Sequence, residues 1–114
     1  MLSVVIPTLN AEAGLPACLT ALVPATVRGI VREVIVSDGG STDKTADLAD
    51  MAGATFVAGE KGRGTQLRRG AEEAKCDWLL FLHGDTVLSA GWEEEVAKFL
   101  EQVDAGRFKG RKIA

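Results

Sequence analysis

The polar residues of this sequence whose types and spacing could do chemistry fall into four groups. The first lies in PTLN, which follows LSVVI, and the second is SDGGSTD, which follows VREVIV. The third lies in GEKGRG, and the fourth, HGDT, follows WLLFL. If the apolar runs are parallel strands, their carboxyl ends meet at one edge of a sheet, where ligands bind. The four groups are therefore predicted to form a single binding site.

Asp38 comes directly after the second apolar run. Its carboxylate can accept hydrogen bonds from a nucleobase edge or from ribose hydroxyls. Gly39 and Gly40 would let the backbone approach such a ligand closely. The alternative is that SDGGSTD forms only a turn and a helix cap. We favour this alternative for residues 41–43 and the ligand contact for Asp38.

The fourth group places Asp85 two residues after His83, at the end of the most apolar run. A carboxylate there is suited to holding a hard divalent cation, which would bridge phosphate oxygens and neutralise a diphosphate leaving group. The alternative is that Asp85 caps the turn before Ser89. For His83 three roles stay open: ligand, substrate contact, or filler of the rim.

Four basic residues surround the predicted start of one helix: Lys61, Arg63, Arg68 and Arg69. Arginine suits phosphate recognition because its guanidinium presents a fork of donors, and a helix start adds a favourable dipole. A solvated basic face is the alternative, and we favour it for Arg68 and Arg69. Arg63 lies within the glycine-rich turn and is the better candidate for a ligand contact.

The elements that must position these groups alternate along the chain. Apolar, strand-like runs cover residues 2–6, 31–36, 54–58 and 78–82, and helical spacing of apolar residues lies between them and after the last. Strands that are apolar on both faces and separated by helices indicate a parallel sheet covered on both sides. The predicted fold class is α/β, a Rossmann-like, doubly wound, mostly parallel sheet of order β-α-β-α-β-α-β-α.

Particular residues set the expected element boundaries. Pro7 is predicted to stop the first strand, and Asn10 to cap a helix that Pro24 closes. Ser41 or Thr42 should cap a helix over residues 43–52, which Gly53 ends. The segment from 104 to 114 is expected to be either a mobile tail or the start of another strand.

Length and composition restrict the number of domains, the kinds of partner and the location that can be expected. A chain of 114 residues with 46% hydrophobic and 25% charged residues suits one soluble domain, residues 1–114. The net charge of −3 disfavours a nucleic-acid partner. Neither a signal peptide nor a transmembrane run of about 20 apolar residues is recognisable, so a cytoplasmic location is expected and peripheral membrane contact stays open. Cys18 and Cys76 are isolated in sequence and are expected to be reduced thiols.

Three common enzyme signatures are absent. PTLNAEAG, after the first run, lacks the GxGxxG of dinucleotide-binding proteins, and GEKGRGT does not match a P-loop. No GxSxG elbow occurs either, which disfavours a serine hydrolase. Dehydrogenases, P-loop enzymes and serine hydrolases are therefore disfavoured.

Taken together, VVIPTLNAE, VIVSDGGSTDKTADLA, KGRGTQLRRGA and WLLFLHGDT resemble the nucleotide-binding half of family 2 glycosyltransferases of the GT-A fold. The resemblance runs over roughly residues 2–103. The HxD variant is most similar to the subgroup associated with radical-SAM and selenodomain proteins. The resemblance implies transfer of a sugar from a nucleotide-diphosphate-sugar donor to an unidentified acceptor, assisted by Mg²⁺ or Mn²⁺.

The resemblance also implies roles for individual residues. Asp38 matches the acid that contacts the nucleoside, and Asp85 matches the metal-binding acid of the DxD motif. Residues 7–12 match the first donor-binding segment. The predicted nucleotide-sugar site consists of Pro7, Thr8, Asn10, Glu12, Asp38, Gly39, Arg63, Gln66, His83 and Asp85, with Asp85 as the metal ligand.

Two departures from the family pattern affect these expectations. His83 stands where the family usually has the first Asp of DxD, which leaves Asp85 as the principal metal ligand. The sequence also stops at Ala114, whereas family members continue into a part that supplies the acceptor surface and the general base. No residue after Asp85 matches that base. An exposed sheet edge in such a short chain predicts self-association.

Two other functions compete with sugar transfer. One is a non-catalytic nucleotide-sugar-binding module, a truncated remnant lacking the acceptor half. The other is a nucleotidyltransferase, which would need a glycine-rich, basic loop after the first strand; PTLNAEAG is not such a loop.

Overall fold

The protein is built on a single parallel β-sheet. The structure, a computed structural model, describes residues 1–84, 88, 91–105 and 112–113. The strands are β1 Leu2–Thr8, β2 Val31–Asp38, β3 Thr55–Ala58, β4 Trp78–Phe81 and β5 Lys112–Ile113. They lie in the order β3-β2-β1-β4-β5, and every neighbouring pair is parallel. The predicted parallel sheet is confirmed.

The central strand, β1, is the most buried part of the sheet. Leu2, Val4, Val5 and Ile6 are fully buried because β1 is covered on both faces. This burial explains why its sequence is a continuous apolar run, not an alternating one. β1 continues two residues beyond its predicted end: Pro7 pairs in register with a residue of β2, although it has no N–H to donate.

Helices connect the strands and cover both faces of the sheet. They are α1 Leu15–Ala21, α2 Val23–Val27, α3 Thr45–Met51, α4 Arg63–Glu73 and α5 Trp92–Ala105. The larger core packs α1 and α2 against one face of β1, together with Leu100 of α5. The smaller core lies on the other face, where Leu67 and Ala71 of α4 pack against Val5 and Leu79. The expected two-sided cover is therefore confirmed.

The first predicted helix is wrong in its boundaries. Asn10 does not cap it: Asn10 has a φ of 51°, and α1 begins only at Leu15. Pro24 does not close it either, because Pro24 lies in the first turn of α2. Proline is favoured there, since its fixed φ suits a helix start and its missing N–H would have no helical partner.

The helix after β2 agrees with expectation except at its start. Neither Ser41 nor Thr42 caps α3, which begins at Thr45. The Asp43 carboxylate accepts a hydrogen bond from the backbone N–H of Thr45 at 3.0 Å and so satisfies the first turn. Gly53 follows the helix with a φ of 76°, the conformation expected of a glycine that ends one.

Two further observations concern the described residues. Cys18 and Cys76 are both buried, and neither forms a disulfide within the part of the chain that the structure describes. None of the helices in the described part of the chain is both long enough and apolar enough to span a bilayer.

Candidate functional site

A cleft of about 520 Å³ opens beyond the carboxyl end of β1, between the loop that follows β1 and the start of α4. Its lining residues are Pro7, Thr8, Leu9, Asn10, Ala11, Ala13, Gly14, Lys61, Gly62, Arg63, Gln66, His83 and Gly84. Three of the four polar groups found in the sequence thus contribute directly to one cavity. The group after β2 does not line it and lies behind its wall.

The predicted site residues divide accordingly. Six of them line the cleft: Pro7, Thr8, Asn10, Arg63, Gln66 and His83. Glu12, Asp38 and Gly39 are not among the lining residues; they contact the loops and side chains that form the wall. Asp85 lies outside the described residues.

Asp38 is only 2% exposed, at the end of β2. One carboxylate oxygen accepts hydrogen bonds from the hydroxyls of Thr8 at 2.7 Å and Ser41 at 2.5 Å. The other accepts from the backbone N–H groups of Gly40 at 2.9 Å and Ser41 at 2.6 Å. In this structure the carboxylate therefore fastens the loop after β2 to the end of β1.

These contacts also determine how Asp38 ionises. Burial by itself would raise its pKa, because desolvation disfavours the charged carboxylate. The hydrogen bonds from Ser41, Thr8 and Gly40 act in the opposite direction and together lower the pKa below its ordinary value. Asp38 is therefore a carboxylate at neutral pH, and the wall of the cleft contains a fixed negative charge.

The loop after β1 is joined to the loop after β2 by reciprocal hydrogen bonds. Asn10 accepts one through its side-chain oxygen from the N–H of Thr42 at 2.8 Å, and Glu12 accepts one from the N–H of Lys44 at 2.9 Å. In return, the N–H of Asn10 donates to Ser41 Oγ at 2.7 Å. These bonds hold Asn10 in its left-handed conformation.

The same junction includes Asp43. Its carboxylate accepts hydrogen bonds from the Thr45 hydroxyl and N–H and, at 3.1 Å, from the N–H of Glu12. The bond from the Thr45 hydroxyl is the main cause of a lowered pKa at Asp43, opposed by desolvation. Asp43 thus satisfies the start of α3, as the turn-and-cap interpretation expects, whereas Ser41 and Thr42 do not cap the helix.

Gln66 forms the floor of the cleft, where it is 5% exposed. Its amide nitrogen donates to the carbonyls of Thr8 at 2.8 Å and Ser37 at 3.0 Å, and its oxygen accepts from the N–H of Gly62 at 3.1 Å. A Cβ on Gly39 would lie 2.8 Å from that same oxygen. In this structure, therefore, Gly39 makes room for the Gln66 side chain.

Lys61 and Arg63 supply positive charge to one wall. Both are exposed, and Arg63 is the first residue of α4, where the helix dipole also favours an anion. Arg68 is exposed, as expected of a solvated basic face. The same interpretation is wrong for Arg69, which is half-buried and donates to two backbone carbonyls.

A metal site beside His83 is compatible with the residues present. His83 is exposed and lines the cleft, which brings the segment before Asp85 to its edge. Within the described ranges, His, Cys, Asp and Glu form no group of three or more that could hold an ion by themselves. A divalent ion in a phosphate site needs no such group, because one or two protein ligands and the phosphate oxygens suffice.

The sequence matches the profile of Glycosyl transferase family 2 over residues 3–111. The chain belongs to this family. Its parallel α/β sheet matches the fold of solved GT-A glycosyltransferase structures.

Named relatives and solved structures agree with this membership. The chain is 38% identical over 95 residues to a PGL/p-HBAD biosynthesis glycosyltransferase of Mycobacterium tuberculosis. It is 35% identical over 95 residues to the glucosyl-3-phosphoglycerate synthase of the same species. The crystal structure of that synthase with Mn²⁺, UDP and phosphoglyceric acid superposes with a TM-score of 0.68 at 33% identity, over 76% of this chain and 34% of the synthase.

The matched regions include most of this chain but only a minor part of each relative. They include 77% and 75% of this chain, but only 36% of the PGL/p-HBAD glycosyltransferase and 29% of the synthase. The present chain thus spans about a third of the length of these relatives.

Proposed function

We propose that this protein binds a nucleoside-diphosphate sugar, with UDP as the preferred nucleotide and Mn²⁺ as the preferred ion, and that it acts in transfer of the sugar to an acceptor hydroxyl. The observation that carries the proposal is the cleft of about 520 Å³ at the carboxyl end of β1. In this chain of family 2, one cavity is lined by the cationic Lys61 and Arg63, by the polar Gln66 and by His83. Clefts of this volume are typical binding sites for small molecules and cofactors.

The choice of UDP and Mn²⁺ rests on a relative. Glucosyl-3-phosphoglycerate synthase of Mycobacterium tuberculosis was crystallised with both, and also with Mn²⁺ and UDP-glucose. We propose the same ligands for this chain because 76% of it superposes on that enzyme. The sugar and the acceptor are left open. The HGD sequence at residues 83–85 leads us to propose further that the protein belongs to the radical-SAM/selenodomain-associated subgroup.

Each part of the cleft has a proposed task. Lys61 and Arg63 would contact the diphosphate, because their charges lie on the same wall as the start of α4. Pro7, Thr8 and Asn10 would border the nucleoside. Asp38 would act on the nucleoside pocket by holding Thr8 and the loop after β2 in place.

Asp85, with His83 beside it, is the proposed holder of the divalent ion. A bound Mn²⁺ or Mg²⁺ would supply positive charge that neutralises the departing diphosphate. A carboxylate is a suitable ligand for either ion. The acceptor hydroxyl also needs a base to take its proton.

Binding without transfer is the second candidate function. The described residues that line the cleft include no Asp or Glu, so none of them offers a carboxylate as that base. Release of UDP from UDP-glucose in the presence of candidate acceptors separates the two functions. Metal-dependent binding with no UDP release would favour the binding module.

The proposal is tested by calorimetric titration of UDP with and without Mn²⁺, using wild type, Asp85→Ala and Asp77→Ala. Asp77 is exposed just before β4 and so lies at the opposite end of the same strand, which makes it a matched control for loss of charge. Wild type and Asp77→Ala should bind UDP more tightly with Mn²⁺. For Asp85→Ala the increase in UDP affinity on adding Mn²⁺ should be smaller than for wild type by a factor of about ten or more, equivalent to about 1.4 kcal/mol of binding free energy.

Two results would contradict the proposal. One is the absence of binding heat for UDP and GDP, with or without Mn²⁺. The other is an Asp85→Ala protein whose Mn²⁺-dependent affinity equals that of the Asp77→Ala control.

A further inference from the structure

Arg69 occupies an unexpected position for a charged residue in the middle of a helix. Its guanidinium donates one hydrogen bond to the backbone carbonyl of Asp38 at 3.3 Å and another to that of Glu60 at 3.1 Å. The first carbonyl ends β2, and the second belongs to the loop between β3 and α4. The side chain therefore connects the end of a strand to the loop that enters the cleft wall.

Gly59 is the residue that allows this connection. A Cβ on Gly59 would lie 2.3 Å from Cζ of Arg69 and 2.4 Å from one of its terminal nitrogens, far inside contact distance. The guanidinium thus fills the space that any side chain at Gly59 would need. The N–H of Gly59 also donates to the Asp38 carbonyl at 3.1 Å, so two donors converge on that oxygen.

The loop held in this way, residues 59–62, carries functional groups. At its far end, the N–H of Gly62 donates to the side-chain oxygen of Gln66. Lys61 and Gly62, the last two residues before α4, line the cleft. Arg69 and Gln66 belong to the same helix, so α4 fixes both ends of the loop.

We propose that Arg69 is a positioning residue for the diphosphate wall: it holds loop 59–62 against the end of β2 and so places Lys61 for the ligand. The inference rests on the proposed function in one respect, namely that the anion bound there is a nucleoside diphosphate. Arg69 does not line the cleft and acts through the loop. The two-pronged guanidinium is needed because the two acceptor carbonyls belong to different segments.

The first test measures hydrogen exchange in loop 59–62 without any ligand. Hydrogen exchange of the Gly59 and Gly62 amides is compared among wild type, Arg69→Ala and Arg68→Ala. The last variant is a matched control, because Arg68 is the exposed neighbour on the same helix. Arg69→Ala should speed exchange at Gly59 and Gly62 about tenfold, with the rest of the sheet unchanged. Equal exchange in the two variants, or faster exchange throughout the sheet, would overturn the inference.

The second test measures UDP affinity in the presence of Mn²⁺. Arg69→Ala should weaken binding by about three- to tenfold, because Arg69 acts on the ligand only through the placement of Lys61 and most of the lost hydrogen-bond energy does not reach the ligand. Arg69→Lys retains the charge but not the fork, so its affinity should lie between those of Arg69→Ala and wild type. Full affinity in Arg69→Lys would overturn the requirement for two prongs.

Gly59→Ala provides an independent test, because the added methyl should displace the guanidinium without removing it. Its loss of affinity should match that of Arg69→Ala, and the double variant should be no weaker than either single variant. Additive losses in the double variant would refute the shared cause.

Failure of the inference can be told from failure of the proposed function. A wild type that binds no nucleotide would refute the proposed function, and the proposed role of Arg69 in ligand binding with it. A wild type that binds UDP, together with an Arg69→Ala variant that binds equally well, would refute only the inference.

Discussion

Replacement of Asp38 by asparagine should destabilise the protein even when no ligand is present. The carboxylate accepts four hydrogen bonds, two from hydroxyls and two from backbone amides. An asparagine oxygen can still accept from the amides, and its NH₂ group would then face the hydroxyls of Thr8 and Ser41. Both hydroxyl oxygens can accept from that NH₂ group, and Ser41 Oγ can do so beside the bond that it accepts from Asn10. The two hydroxyl hydrogens, however, lose the carboxylate as their acceptor.

The expected cost follows from these four bonds. A hydrogen bond to a charged group contributes about 1.5–3 kcal/mol and a neutral one about 0.5–1.5 kcal/mol, a difference of about 1 kcal/mol per bond. Four bonds set an upper limit of about 4 kcal/mol, and easier burial of a neutral amide offsets part of it. We therefore expect Asp38→Asn to lose about 2 kcal/mol, or about 8 °C in Tm for a chain of this length.

Urea unfolding of the ligand-free protein measures this cost. Asp50→Asn is the matched control, because Asp50 is an exposed acid on α3 and its substitution should change stability by less than about 0.5 kcal/mol. If Asp38→Asn unfolded at the wild-type urea concentration and yet lost UDP affinity, our reasoning would be refuted. Asp38 would then contact the nucleoside directly, as the resemblance to family 2 implies.

The pH dependence of this difference provides a second measurement. The pKa of Asp38 is lowered in the folded protein, so its ionisation stabilises the fold fully above the unfolded pKa, near 3.8. That stability is lost as pH falls through the lower folded value. The gap in unfolding free energy between wild type and Asp38→Asn should stay constant from about pH 5 to 7 and shrink below about pH 4. A gap that widened on acidification would contradict the lowered pKa.

Two other properties can be tested directly. Gly70→Ala should lower the free energy of unfolding in urea by about 1–3 kcal/mol, because its Cβ would lie 2.3 Å from Cγ1 of Val5. Gly64→Ala is the control, since a Cβ there would meet no such neighbour within 4 Å. Equal stability of the two variants would contradict the close packing at Gly70. Self-association is expected because Val27 and Met51 are 81% and 82% exposed, so light scattering should show a mass that rises with concentration. A monomer at every concentration would refute this expectation.

Much of the fold could be predicted because its signals are local. The runs that became β1, β2 and β4 are mostly apolar and contain no polar–apolar alternation, as expected of parallel strands that are covered on both faces. Their alternation with helices then restricts the topology to a doubly wound sheet. The polar groups at the strand ends could be located for the same reason, since parallel strands end at a common edge.

The errors have a common cause. Asn10 was expected to cap a helix, but its conformation depends on hydrogen bonds from a loop about 31 residues away. Arg69 is predicted to be solvated, but the carbonyls it contacts come from the end of β2 and from the loop before α4. Such partners cannot be seen in the neighbouring sequence.

The sequence by itself thus determined the fold class, the family resemblance and the edge of the sheet that carries the site, because burial and chain order are encoded residue by residue. Only the tertiary structure decided the strand order and the division of polar residues between cleft and supporting wall. Asp38, Gln66 and Arg69 acquired their roles there, because a buried polar group takes whichever partners folding brings within hydrogen-bonding distance.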